Sequence, residues 1–292
     1  MQSTADIGRR RGVLLVLFSA VAWSAARIFT KGTAADAWAV LFWRGLFAGP
    51  LILLYLVAAA RQPLWAAGKA LGGPGWLVVS VSSLATVAFL NAFKHSSVAN
   101  VTVVYATAPF VAAGFGWLLL RERPARAALA ASLAALSGVA IMVSGSLGTP
   151  NLLGDGLALL MTLLMALFVV LVRRFAGRPM VLAAALSSLQ ISLFAWLPAE
   201  RLWPGWGDLL LLAAFGALHA GAVVALTEGC RLLPAADTAL LSALDTPLAP
   251  LLAWLVLGEL PPAATFAGGG LVLMALFCYI GRDLRTARPV PS

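Results

Sequence analysis

Charged residues are scarce in this sequence. Asp, Glu, Lys and Arg make up 11% of the 292 residues, whereas the apolar set of Ala, Val, Ile, Leu, Met, Phe, Trp, Tyr and Cys makes up 62%. A soluble domain is typically about one quarter charged and about one half apolar. So few charges cannot cover the water-exposed surface of a chain this long. The composition therefore argues against a soluble enzyme or a disordered chain, and it favours a polytopic membrane protein.

Cysteine and the common catalytic motifs are also nearly absent. The two cysteines, Cys230 and Cys278, have no CxxC or metal-ligand spacing, which argues against a disulfide framework or a zinc site. No segment resembles a Walker loop, HExxH, GxSxG, or a GxGxxG that opens a helix. ATP hydrolysis and intramembrane proteolysis therefore have little support. We expect no enzymatic activity, no cofactor and no metal.

The positive charge is distributed as it is in membrane proteins. The formal net charge is +9, but the Lys and Arg residues lie in short clusters between long apolar runs and do not form one soluble basic face. Nucleic acid is therefore not an expected partner. The expected surroundings are a lipid bilayer.

Long apolar runs predict ten membrane helices. A spanning helix needs about 20 mostly apolar residues, and Gly, Pro and charge clusters divide the chain into segments of that length. The predicted spans, numbered 1 to 10 in chain order, are 13–31, 36–60, 76–94, 98–120, 125–146, 156–175, 180–198, 209–231, 235–257 and 262–281. Since the connections are short, we expect one tight all-α bundle without a soluble domain.

The positive charges also predict the orientation. With the N-terminus inside, fifteen Lys and Arg residues lie at inner ends of the spans, and three, Lys31, Lys94 and Arg201, lie at outer ends. Because cytoplasmic loops are enriched in Lys and Arg, both termini are expected in the cytoplasm. The apolar run after Arg9 is long and is closely followed by the next span, which predicts an uncleaved first helix rather than a signal peptide.

The two halves of the chain resemble each other. PFVAAGFGWLLLRERP, which begins at Pro109, matches PLAPLLAWLVLGELP, which begins at Pro247, with a one-residue gap. The matched pairs include Asn91 with Glu228, Lys94 with Arg231, Trp117 with Trp254, Leu118 with Leu255, and Glu122 with Glu259. Spans 1–5 and 6–10 are thus predicted to be two copies, and because five is odd, the second copy is inverted in the bilayer. Inverted repeats around a central site are frequent in transporters, although a pore or a scaffold can also be duplicated.

These residues carry a family resemblance. An apolar helix with a mid-span proline and a Gly/Arg-Glu-x turn at its end occurs twice, in 99–122 and 237–259, each time before a helix rich in small residues. Residues 12 to 282 resemble the drug/metabolite transporter superfamily, in its EamA-type branch of ten-helix transporters. The family's glycines after the turn match Gly138 and Gly268. The resemblance implies an inner-membrane carrier of small metabolites, often an exporter, whose central cavity is lined mainly by spans 1, 3, 4, 6, 8 and 9.

The spans and the repeat divide the chain into five segments. These are a cytoplasmic N-terminal tail (1–12), a first EamA-like repeat (13–146), an outside linker (147–155), a second EamA-like repeat (156–281) and a cytoplasmic C-terminal tail (282–292).

Charges inside the spans are the strongest site candidates, because a central Arg or Asp costs roughly 2.5–3.5 kcal/mol by insertion scales. Arg44 lies about 12 Å into span 2, where it would bind a substrate carboxylate or, alternatively, bond to backbone carbonyls. Trp23, Arg27 and Lys31 share one face of span 1, and Arg27 could instead extend to the outer surface. The candidate substrate-binding residues are Arg44, Trp23, Arg27, Asn91, Tyr105 and Trp43.

Asp245 is the first candidate for coupling transport to protons. It is predicted near the middle of span 9, on one face with Thr238 and Ser242, and the prolines beyond it weaken the helix. The structural alternative is an ion pair with Arg44 or Arg27.

Two further titratable residues and three prolines complete the candidates. His219, in the middle of span 8, is either a proton relay or a neutral hydrogen-bonded core residue. Glu228 is either a group at the cavity mouth or the partner of Arg231. The candidate hinges are Pro109, Pro247 and Pro250.

The leading hypothesis is a secondary active transporter of a small organic metabolite, an amino acid or another carboxylate-bearing solute. It would work by alternating access around a central cavity, as an exporter, with protons as the candidate coupling ion and as a monomer or homodimer. The alternatives are a channel-like pore or a scaffold, and an intramembrane enzyme that would use His219 with Asp245 or Glu228.

Overall fold

The chain is helical throughout the residues that the computed structural model describes, which are 4–58, 61, 63–144, 151–258 and 260–286, and no β-strand occurs within them. Nine helical segments in these ranges are long and apolar enough to cross a membrane, and Met180–Ala195 is apolar but shorter. They agree in order and position with the ten predicted spans. The expectation of an all-α polytopic membrane protein is therefore confirmed.

The helices keep the numbering of the spans. The first half consists of Thr4–Ser24 and Ala26–Lys31 (span 1), Ala37–Ala58 (span 2), Leu64–His95 (span 3), Val98–Tyr105, Ala108–Phe115 and the π-helical turn Gly116–Leu120 (span 4), and Arg126–Val143 (span 5). The second half consists of Leu152–Arg174 (span 6), Met180–Ala195 (span 7), Trp206–Leu232 (span 8), Ala235–Ser242 and Asp245–Leu257 (span 9), and Ala263–Thr286 (span 10). Helical turns thus extend into the predicted tails and linker.

Span 3 differs most from its predicted bounds. Its helix begins at Leu64, directly after Pro63, and contains a break at Gly72, where φ is +57°, two residues before Pro74. Glycine adopts this φ without steric cost, and proline cannot donate the hydrogen bond that would continue the helix across the break. The Gly and Pro residues indicated a loop in the sequence, whereas the structure uses them to bend a longer helix.

Spans 4 and 9 are interrupted at equivalent points. Span 4 changes helix after Tyr105, shortly before Pro109, and span 9 changes helix after Ser242, shortly before Pro247. Each proline lacks an N–H group and disfavours the helical conformation of the residue before it. The sequence predicts that Thr238, Ser242 and Asp245 share one face of span 9. Because one helix ends at Ser242 and the next begins at Asp245, Asp245 does not share one regular helical face with the other two.

Large apolar side chains cover the outside of the bundle. Those that are more than half exposed within the spans include Leu14, Phe18, Leu54, Leu133, Leu193 and Phe277. On a soluble protein such a surface would promote association. In a bilayer these side chains contact lipid tails, which agrees with the membrane location.

The closest-packed helix pairs join the two halves. Span 1 packs against spans 8 and 9, span 2 against spans 7 and 8, span 3 against spans 6 and 7, span 4 against spans 6 and 9, and span 5 against span 10. Replacing each span by its repeat mate, the span five positions away in the chain, gives the same set of packed pairs. For example, the pair of spans 1 and 8 becomes the pair of spans 6 and 3. The packing therefore has the pattern of a two-fold relation between the halves.

Individual close approaches repeat in the same way. A Cβ atom on Gly12 of span 1 would lie 2.9 Å from the Cβ of Leu232 at the end of span 8. A Cβ atom on Gly154 of span 6 would lie 2.6 Å from the carbonyl carbon of His95 at the end of span 3. In both halves a glycine lets two helices approach more closely than a larger residue would allow.

Candidate functional site

Arg44 lies inside the bundle, in the first half of the span 2 helix that begins at Ala37. Its guanidinium carbon lies 5.6 Å from the centre of the Phe215 ring of span 8, and its Nε atom is buried without a hydrogen-bond partner. Arg44 forms no ion pair with any carboxylate of the described residues. A guanidinium held in this way keeps donors that can bind an anionic group.

Trp23 and His219 are joined directly, although different roles are predicted for them. Trp23 Nε1 of span 1 donates a hydrogen bond to His219 Nδ1 of span 8 at 3.2 Å. Because Nδ1 accepts this bond, the imidazole carries its proton on Nε2. His219 also lies within electrostatic range of Arg44, and Phe215 precedes it by one helical turn. We call Arg44, Trp23, His219 and Phe215 the Arg44 cluster, formed by spans 1, 2 and 8.

Within the described residues, Asp245 forms no hydrogen bond or ion pair with a member of the Arg44 cluster. It is the first residue of the second helix of span 9, where the helix dipole stabilises a negative charge. Thr246 Oγ1 donates to its Oδ1 at 3.2 Å, and the ion pair with Arg44 that was the alternative is not formed. Tyr105, at the break in span 4, lies within electrostatic range of Asp245. Tyr105 and Thr246 line a cavity of about 10 Å³, which has room for about one water molecule.

The three candidate hinge prolines lie at or near the helix breaks. Pro109 is buried in the first turn of the second helix of span 4. Pro247 is also buried, in the first turn of the second helix of span 9, and Pro250 lies further along that helix. Thr107 Oγ1 donates to the carbonyl of Val104 at 2.6 Å, which satisfies one backbone acceptor at the break in span 4. The hinge role itself stays a prediction.

Two of the predicted substrate-binding residues, Asn91 and Trp43, donate side-chain hydrogen bonds to backbone carbonyls outside the Arg44 cluster. Asn91 Nδ2 donates to the carbonyl of Val87 on its own helix at 2.9 Å. Trp43 Nε1 donates to the carbonyl of Leu202 at 2.6 Å, and its ring makes an edge contact with Trp203 at 6.3 Å. Trp43 therefore belongs to an aromatic group near the beginning of span 2, and its indole N–H is not available to a ligand.

Glu228 forms the local ion pair that was its alternative interpretation. Both of its oxygens accept from Arg231 Nη1 at 3.1 Å, across one turn of the span 8 helix. Arg27 lies on the second helix of span 1, but its side chain lies outside the described residues.

Comparison with known proteins gives the family. Residues 10–144, which contain spans 1 to 5, match the EamA-like transporter family. The match covers a little under half of the chain and supports membership of the drug/metabolite transporter superfamily. EamA family members are transporters rather than enzymes. The match and the many apolar helices support a multi-pass membrane protein of the transporter type, which would bind a small-molecule substrate and lie in a lipid bilayer.

Comparison with solved structures independently supports the fold of the chain. Twenty-nine chains of solved structures match it. One, a protein known from its crystal structure, has a TM-score of 0.73 and 19% sequence identity, and the alignment covers 97% of this chain and 100% of that one. At this identity the likeness shows a shared fold. No curated protein matches the sequence.

Polar contacts that were not predicted from the sequence join the two halves of the transporter at both ends. Arg9 Nη2 of span 1 lies 2.8 Å from Asp237 Oδ2 of span 9. At the opposite end, the Ser96 hydroxyl donates to Asp155 Oδ1 at 2.5 Å, between the end of span 3 and the start of span 6. Both acids lie in the first turn of a helix, where an Asp is common without any long-range role.

Proposed function

We propose that this transporter is a secondary active carrier that exports a small carboxylate-bearing solute, an amino acid or related metabolite, by alternating access. The observation that carries the proposal is the guanidinium of Arg44, whose buried Nε has no protein partner. A buried charge is costly unless it is paired and hydrogen-bonded. A substrate carboxylate presents two oxygens that match a guanidinium in both geometry and charge.

The other members of the Arg44 cluster restrict the substrate further. Phe215 lies under the guanidinium, and the hydrogen bond from Trp23 to His219 fixes the indole ring in place. A solute bound through its carboxylate at Arg44 would thus have aromatic surface on neighbouring spans. We therefore propose a solute that carries an apolar or aromatic portion beside its carboxylate.

Protons are the proposed coupling ion, with Asp245 as the group that carries them. Asp245 lies at the break in span 9 without a basic partner among the described side chains. The hydroxyl of Ser242, just before the same break, is buried without a hydrogen-bond partner. Interrupted helices with polar groups at the break are where secondary transporters commonly bind coupling ions. Tyr105 of span 4 and Thr246, the neighbour of Asp245, line the same small cavity, so protonation of Asp245 would change the charge beside the interface of spans 4 and 9.

Alternating access would arise from two inverted halves that rock about this centre. The exchange symmetry of the helix pairs supports the arrangement, and the breaks near Pro109 and Pro247 supply points where the helices can bend. The Arg9–Asp237 pair and the bond between Ser96 and Asp155 lie at opposite ends, so each would open in turn.

The proposed location is a bacterial inner membrane with both termini in the cytoplasm. The excess of Lys and Arg at one end of the bundle supports this orientation. The end held by Arg9 and Asp237 is then the cytoplasmic end.

Substrate profiling followed by flux measurement tests the proposal. Metabolites are measured inside and outside cells in which the gene is deleted or overexpressed, and export predicts a lower internal level on overexpression. A higher internal level would reverse the proposed direction. The identified solute is then tested in proteoliposomes, where a carrier gives saturable flux and counterflow. Non-saturable flux would indicate a pore, and no flux at all would favour a scaffold.

A further inference from the structure

A groove at the end of span 4 lies outside the Arg44 cluster. It has a volume of about 350 Å³ and is lined by Trp117, Leu118, Arg121 and Arg123, and we call it the span 4 groove. Trp117 and Leu118 are 62% and 68% exposed on the outside of the bundle. Small-molecule sites typically have volumes of about 300–1,000 Å³, so the groove is large enough to hold a ligand.

The two arginines of the groove have no protein partner. Both are exposed, and neither forms a hydrogen bond or an ion pair through its side chain within the described part of the chain. Glu122, which lies between them in sequence, is instead bonded to Arg173 of span 6 at 2.6 Å. The groove thus combines two free guanidinium groups with apolar surface at the end of a membrane span, the level at which lipid headgroups lie.

Arg121 occupies a position where the backbone favours glycine. Its φ is +58°, in the left-handed region, which is sterically unfavourable for a side chain with a Cβ atom. Arg121 follows Trp117 by four residues, as Gly258 follows Trp254 in the second half, and Gly258 adopts the same conformation with φ of +71°. The turn therefore requires the left-handed conformation but not an arginine. An arginine at this position therefore carries a backbone cost that glycine avoids in the second half.

The turn at the end of span 9, which is the counterpart of the span 4 groove in the second half, has no arginines. Trp254 and Leu255 are exposed like their counterparts, but the segment from 256 to 262 contains no Lys or Arg. Apolar surface is thus common to both turns, whereas the positive charge belongs to one. In the proposed orientation this turn faces the cytoplasmic leaflet.

We propose that the span 4 groove binds the phosphate of an anionic phospholipid. Arg121 and Arg123 bind the phosphate oxygens through charge-assisted hydrogen bonds, and Trp117 and Leu118 contact the glycerol and the start of the acyl chains. A basic site beside apolar helix surface is the arrangement that recognises anionic headgroups. Free phosphate would use the arginines only. This lipid site goes beyond the transport proposal and does not depend on the solute carried.

Native mass spectrometry of the full-length protein in detergent tests the lipid site. The protein is titrated with phosphatidylglycerol or phosphatidylcholine, and the wild type should bind phosphatidylglycerol more tightly. Arg121→Gly and Arg123→Gln should each weaken phosphatidylglycerol binding about fivefold. They should weaken phosphatidylcholine binding less, because the choline cation of that lipid already neutralises its phosphate. Arg61→Gly is the matched control, because Arg61 is also an exposed arginine with a positive φ, +51°, but does not line the groove.

Three results would overturn the assignment: equal wild-type affinity for the two lipids, equal effects of Arg61→Gly and Arg121→Gly, or displacement of phosphatidylglycerol by inorganic phosphate at the same concentration. Since glycine relieves the left-handed strain, the Tm of the Arg121→Gly protein should equal or exceed that of the wild type. An unchanged or higher Tm shows that any loss of lipid binding is not caused by unfolding. Arg123→Gln tests the groove without changing a residue of positive φ. Transport is not the readout, so failure of this test leaves the proposed function untouched.

Discussion

Gly138 and Gly268 meet backbone to backbone where spans 5 and 10 cross. A Cβ atom on Gly138 would lie 2.7 Å from the carbonyl oxygen of Gly268, and one on Gly268 would lie 2.6 Å from the backbone nitrogen of Met142. In a bilayer, apolar side chains gain little by leaving lipid, so close backbone packing of this kind is a principal source of helix association. The two glycines therefore hold together one of the main contacts between the halves.

Replacement of either glycine by alanine should destabilise the protein by about 1–3 kcal/mol, the usual cost of overpacking. The added methyl group would contact backbone atoms, which cannot move unless the helices separate. Thermal unfolding in detergent measures the effect. Gly270→Ala on the same helix as Gly268 is the control, because nothing lies within 4 Å of a Cβ atom there. Similar losses of Tm at positions 268 and 270 would contradict this role of the crossing.

Asp237→Asn should shift the transporter toward a state open at the end where Arg9 and Asp237 meet. A hydrogen bond between charged groups contributes about 1.5–3 kcal/mol, so loss of the charge should increase the open population by roughly tenfold or more. Ala239, which lines the small cavity beside span 9, provides the probe position. An Ala239→Cys variant without Cys230 and Cys278 should react faster with a membrane-impermeant maleimide added from that side.

Glu228→Gln is the control for the Asp237 experiment. Glu228 pairs with Arg231 on its own helix, so its loss removes a negative charge without separating two spans. The gating role would be contradicted if both substitutions changed the labelling rate equally, or if neither changed it.

Asp245→Asn should abolish proton-driven flux while solute counterflow persists. Asparagine preserves the shape of the side chain and its acceptor for Thr246, but it cannot take up and release a proton. Both activities are measured in the same proteoliposomes, with and without a pH gradient. Glu228→Gln, which alters a local ion pair, should retain both. Unchanged driven flux in the Asp245→Asn protein would remove Asp245 from the coupling mechanism.

The number, order and placement of the spans could be predicted because the lengths of apolar runs follow directly from the thickness of a bilayer. The break in span 9 was only partly predictable. Pro247 indicates weakness, but the sequence does not indicate whether a helix kinks or restarts, and that depends on the packing against span 4.

The composition of the Arg44 cluster was predictable in part. Arg44 stands out because a charge inside a span is costly. Phe215 gives no such signal, since an aromatic residue in an apolar span is usually ordinary core. The hydrogen bond from Trp23 to His219 joins residues 196 positions apart, and it depends on the rotation of two helices about their axes. One sequence does not determine those rotations.

Arg44 is the residue that we propose binds the carboxylate of the transported solute. The most direct measurement compares the affinities of the identified solute and its carboxamide analogue in wild type, Arg44→Lys and Arg44→Ala, with Arg126→Ala as a control for an exposed cation. The wild type and the control should prefer the carboxylate by roughly tenfold or more, the value of a hydrogen bond to a charged group. Arg44→Lys should lose part of the preference, since an ammonium cannot bind both oxygens in one plane, and Arg44→Ala should lose all of it. If a folded Arg44→Ala protein still preferred the carboxylate by the wild-type factor, Arg44 would not be the residue that binds it.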